Sequence, residues 1–118
     1  MFTPVNVMAV YERVTRRHAI SQNDFVTYFN ETAEEIENTY GGAYVLLPEV
    51  YHMEKIETPE DGSAIDAVYE NSLVNGILYL STGNADYRAL YEGHASTAYL
   101  ARWRVANKHK HIRGDVRK

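Results

Sequence analysis

The 118-residue chain contains no cysteine. That excludes disulfides, thiolate zinc sites, iron–sulfur clusters and cysteine nucleophiles, and it suits a reducing compartment. No apolar run approaches the 18 or so residues that a membrane-spanning helix needs. The opening Met1-Phe2-Thr3-Pro4 has no basic stretch followed by an apolar core, so no signal peptide is expected. Basic side chains are scarce for most of the length. Residues 1–101 hold only Arg13, Arg16, Arg17, Lys55 and Arg88 against fifteen carboxylates, a net charge of −10.

The missing cations are at the other end. Residues 102–118 carry Arg102, Arg104, Lys108, Lys110, Arg113, Arg117 and Lys118 against Asp115 alone, a net of +6. An acidic body with a basic terminus implies a terminus that docks on something negative, either an outside partner or its own body. Hydrophobic residues at 45% and charged residues at 24% are the ordinary globular balance, which excludes wholesale disorder. The length suits one domain with a real core.

Periodicity predicts a mainly α fold, a four-helix, up-and-down-like bundle. Val7, Val10, Tyr11 and Val14 share one face of a helix over about residues 5–18. Ser21, three residues before Asp24, reads as a variant capping box, with Ile20 and Phe25 placed for a hydrophobic staple. The helix it opens carries Phe25, Phe29, Ala33, Ile36 and Tyr40 along one side and ends at Gly41-Gly42. Residues 43–57 form an extended arm or small hairpin punctuated by Pro48, followed by a loop at Thr58–Ser63. A third helix, starting near Ser63, is apolar over so much of its surface (Ile65, Val68, Tyr69, Leu73, Val74, Ile77, Leu78, Leu80) that it is expected at the centre. Its interior Gly76 costs about 1 kcal/mol relative to alanine, a cost that close approach of a neighbouring helix would explain. Gly83-Asn84 ends it and caps a fourth helix running to about residue 108, with Tyr87, Leu90, Tyr91, Ala95, Ala98 and Val105 inward and His94 at the core edge. The domain is thus expected over 1–108, with 109–118 a flexible basic tail.

No catalytic constellation emerges, and no cofactor is expected. His109 and His111 share a face only if extended, and Glu49-x-x-His52 is a single copy of a motif that needs two, on helices. Neither G-x-S-x-G, G-x-x-x-x-G-K nor G-x-G-x-x-G occurs. Asn30-Glu31-Thr32 matches a glycosylation sequon but falls inside a helix, where chance is the simpler reading. A helix-turn-helix over residues 5–40 would bring Asp24, Glu31, Glu34, Glu35 and Glu37 toward phosphate with no cation on the recognition helix, so electrostatics oppose it. Ten tyrosines suit both a core with wet hydroxyls and an interaction surface. Tyr40, Tyr69 and Tyr91 read as core; Tyr44, Tyr51 and Trp103 read as interface.

The order of elements carries a resemblance. A short helix, the segment Ile20-Ser21-Gln22-Asn23-Asp24-Phe25-Val26-Thr27-Tyr28-Phe29-Asn30-Glu31, an extended arm, then Tyr79-Leu80-Ser81-Thr82-Gly83-Asn84 between two apolar helices resembles the head–tail connector (neck adaptor) proteins of tailed bacteriophages. Tyr87, Tyr91, Ala98-Tyr99 and Trp103-Arg104 are similar to that family's last helix. The resemblance spans about residues 5–107. It implies a non-enzymatic virion subunit, assembled in the bacterial host cytoplasm into a ring of about twelve copies beneath the portal. Such a ring extends the DNA channel without specific DNA binding, touches no membrane and offers a platform to tail or neck proteins. It further implies a portal or partner interface at Trp103, Arg104, Lys108, Lys110, Arg113, Arg117 and Lys118. A subunit or tail-side interface is implied at Tyr44, Leu46, Tyr51 and Met53. The alternative is a small helical regulatory or accessory protein that binds a protein or nucleic acid through its basic C-terminal segment.

Overall fold

A computed structural model describes residues 3–45 and 55–106 of the chain. Four α-helices make a small bundle: α1 (Val7–Thr15), α2 (Gln22–Tyr40), α3 (Glu70–Thr82) and α4 (Ala85–Ala106), with a 3-10 turn at Ala67–Tyr69 leading into α3. Each boundary has a local cause. The Asn6 side chain accepts a hydrogen bond from Ala9 N at 3.1 Å, and Ser21 accepts from Asp24 N at 3.1 Å, so orphan donors in the first turns of α1 and α2 are satisfied. Gly83 closes α3 in the left-handed region (φ 73, ψ 8), and the Asn84 side chain then accepts from Asp86 N at 2.9 Å to open α4. The Gly83-Asn84 turn is therefore the connection the sequence predicts.

Helix α3 is the hub, packing against α1, α2 and α4. Leu73, Val74, Ile77 and Leu78 are buried, along with Ser72, Asn75 and Gly76, so the helix is enclosed on most sides. A methyl group at Gly76 would lie 2.5 Å from Thr32 Cγ2 and 3.0 Å from Tyr91 Cδ1. The missing side chain is what lets α2 and α4 close on α3 at this level. Val7, Val10 and Val14 of α1 and Phe25, Phe29, Ala33 and Ile36 of α2 complete the core. Tyr11 meets the Phe25 ring edge-on at 4.9 Å, and Ile20 is partly buried against the core.

Two helices start later than their periodicity predicts, for one shared reason. Residues 3–5, 43–45 and 64–66 run side by side, with antiparallel bridges between Pro4 and Asp66 and between Tyr44 and Ile65. Val5 N donates to Ile65 O (2.8 Å), Val45 N to Ala64 O (2.7 Å), Asp66 N to Ala43 O (2.9 Å) and Ala67 N to Thr3 O (2.8 Å). These non-local bonds hold Thr3–Val5 and Ala64–Asp66 extended, so α1 begins at Val7 and α3 at Glu70. Ile65, expected on the third helix, instead fills the core from the middle of this small sheet-like layer. The expected arm is extended at 43–45, but there it pairs with 64–66. Its central part, including Leu46, Pro48, Tyr51 and Met53, lies outside the described residues.

Candidate interaction surface

The described part of the basic terminus divides in two. Arg102 turns inward: its Nε lies 2.9 Å from Asp66 Oδ2, with side-chain exposures of 15% and 4%, and its Nη1 donates to the Gly42 carbonyl. Asp66 is itself held in place, because its Oδ1 accepts from Val68 N at 2.9 Å to cap the 3-10 turn. Arg102 thus fastens α4 to the extended layer and to the end of α2. The alternative in which a terminal cation serves its own acidic body is realised at this residue.

Trp103, Arg104 and Val105 turn outward. Trp103 is 45% exposed, Val105 is 58% exposed and Arg104 is also exposed. Two residues of the implied portal interface, Trp103 and Arg104, therefore stand together at the end of α4. Lys108, Lys110, Arg113, Arg117 and Lys118 lie outside the described residues. Val105 has the helical phase of the inward stripe but sits beyond the level at which the core can cover it. Leu90 is 45% exposed and Leu100 is 44% exposed, so Leu90 is not an inward residue. His94, expected at the core edge, is exposed because Tyr91, Ala95 and Ala98 alone take the buried side of α4.

Tyr44, the described member of the second implied interface, is half-buried at its bridge with Ile65. Burial, reinforced by the negative charges of Glu37 and Glu34, raises its phenol above the ordinary value. It lines a shallow cleft with Phe29, Asn30, Ala33, Glu34, Lys55 and Ser63. Leu46, Tyr51 and Met53 lie outside the described residues.

A polar cluster knits α2 to α4. Arg88 reaches both Glu35 oxygens at 3.3 Å and Glu92 at 3.1 Å, while its guanidinium lies over the Tyr91 and Tyr79 rings at 5.2 and 5.6 Å. Burial, followed by the hydrogen bond to Glu35, pushes the Tyr91 phenol far above its usual range. Tyr40 stacks on Tyr99 at 4.9 Å nearby. Arg88 pairs with both carboxylates of this cluster, and its bonds to Glu35 make it a fastening between helices.

Asn30 is the residue whose role sequence reading missed. Its amide donates to Ile56 O and accepts from Ile56 N, both at 3.0 Å, mimicking a strand neighbour for the returning chain. The sequon match is occupied by structure. Only the side chain's capacity for paired backbone bonds could have signalled this, and the partner is 26 residues away. Among the described residues, no group of three or more His, Asp or Glu side chains is placed to hold a metal ion, and no helix is long and apolar enough to cross a membrane. Compared with protein-family models, curated proteins and solved structures, the chain matches none.

Proposed function

We propose that the chain is a non-enzymatic assembly subunit, a head–tail connector of the tailed-phage kind, that joins a ring beneath a portal. The observation that carries this reading is the exposed end of α4, where Trp103, Arg104 and Val105 project beyond the core at the start of the basic terminus. An aromatic and an arginine presented together are the residue types that anchor protein interfaces. Ring formation needs two different, complementary surfaces on each subunit. Arg16 and Arg17 are exposed after α1, and Glu31 and Glu34 are exposed on α2, which supplies opposite signs on one molecule. An acidic α2 face would also keep DNA from adhering to a channel wall.

The test is co-sedimentation with portal rings from the same source, using the full chain and a chain ending at residue 106. That end point keeps the Arg102–Asp66 pair, which an earlier stop would remove. Stoichiometric binding by the full chain, reduced by the truncation and by Trp103→Ala, is the expected result. Absence of binding by the full chain at moderate salt would overturn the proposal. Binding to DNA that weakens steeply as salt rises would then favour the accessory-protein alternative.

A further inference from the structure

The outer face of α4 has a pattern that neither its own core nor the exposed helix end accounts for. Asp86, Leu90, Gly93, Thr97, Leu100 and Arg104 are all exposed, at successive spacings of four, three, four, three and four residues. That is the 4-3 spacing of a helix-pairing seam, and over these positions it is about 27 Å long. Ala89 and Ala101, also exposed, flank it. Among the described residues nothing covers this seam: a methyl group at Gly93 would meet no described atom within 4 Å. The contrast with Gly76 is direct, because Gly76 owes its missing side chain to Thr32 and Tyr91.

The seam also reads the same in both directions. Asp86 and Arg104, Leu90 and Leu100, Gly93 and Thr97, and Ala89 and Ala101 are each centred on position 95. Two copies of α4 laid antiparallel across a two-fold axis at that level would set each Asp86 against the other copy's Arg104. Each Leu90 would meet a Leu100, with Gly93 and Thr97 nearest the axis. On the flanks, the large Trp103 would fall beside the small Ala89 of the other copy. Charge complementarity at both ends and size complementarity between them select a second copy of this chain, because an isologous contact requires one patch that matches itself.

We propose that the free protein forms a two-fold, antiparallel dimer through the outer face of α4. The contact is distinct from any ring contact, which joins two different surfaces. It covers Arg104 and part of Trp103, so the dimer holds the exposed helix end out of use until a partner displaces the second copy.

Sedimentation velocity on the full chain across a concentration series tests this. The expected result is a rise from monomer to twice the monomer mass. Asp86→Arg or Arg104→Asp alone should weaken association about tenfold, since each sets like charges against one another at both ends. Combining the two substitutions should restore it. Leu100→Glu should abolish dimerisation with an unchanged urea midpoint at dilute concentration. The native chain has no thiol, so Leu90→Cys and Leu100→Cys variants can be mixed and oxidised. With the two variants in equal amounts, mixed disulfides should then exceed the share that random pairing alone gives. A chain that stays monomeric at every concentration, or a mixed-disulfide yield no greater than random pairing gives, would overturn the dimer. Portal binding by such a monomer would leave the connector reading intact, whereas a dimer that binds no portal would do the reverse.

Discussion

Gly76 and Gly93 are both helix-interior glycines, and their surroundings give opposite expectations for the same substitution. Alanine is favoured over glycine in a helix by about 0.5–1 kcal/mol. At Gly93 no described atom opposes that gain, so Gly93→Ala should raise the urea midpoint of the dilute monomer. At Gly76 the new methyl would collide with Thr32 and Tyr91. Overpacking of this kind costs about 1–3 kcal/mol, so Gly76→Ala should lower the midpoint at unchanged slope. Equal effects at the two sites would contradict the packing described.

The tyrosines make a second residue-scale prediction. Burial raises the phenols of Tyr91, Tyr69 and Tyr44 above their ordinary values. For a group whose folded-state pKa is raised, the stabilisation is complete below the unfolded value and is lost as pH rises through the folded one. The unfolded value is about 10, so stability should fall above that pH. An ultraviolet titration should show these three phenols ionising only as the helical signal is lost. Smooth ionisation of all ten with the helices intact would refute this.

At the scale of elements, the unexpected feature is the layer formed by residues 3–5, 43–45 and 64–66, with Asn30 holding the chain that returns to it. Replacing Asn30 with alanine leaves both polar groups of Ile56 without a partner. Each unsatisfied buried group costs about 1–3 kcal/mol. Asn30→Ala should therefore be destabilising, with amide exchange at Ile56 accelerating before exchange in α3. Asn30→Asp should also be destabilising, because a carboxylate has no hydrogen to give the Ile56 carbonyl. Unchanged exchange at Ile56 would show that the paired bonds do not hold that segment.

At the scale of the whole molecule, Arg102 decides where the body ends. Composition places it with the basic terminus, but its guanidinium completes a largely buried pair with Asp66 and binds the Gly42 carbonyl. Breaking such a pair from one side leaves a charge stranded in the interior and costs about 3 kcal/mol. Arg102→Met should therefore lower the unfolding midpoint markedly, and Asp66→Asn in the same chain should recover part of the loss. A chain cut after residue 101 should show the same destabilisation relative to one cut after residue 106, which keeps the pair. Equal midpoints for the two truncations would mean that the pair adds nothing to the fold.

The sequence by itself determined the number and kind of the described helices, the caps at Ser21, Gly83 and Asn84 and the central place of α3, and it offered close approach as a reason for Gly76. Those features rest on local bonds and on a 3.6-residue period, both readable along a chain. It also placed Tyr69 and Tyr91 in the core. Tertiary structure alone decided the boundary of α3, because Ile65 continues the helical period while backbone bonds to residues 3–5 and 43–45 hold it extended. It likewise decided which cation turns inward. Arg102 and Arg104 are equivalent in composition, but two residues along a helix put them about 200° apart. One therefore meets Asp66, and the other is left to meet a partner.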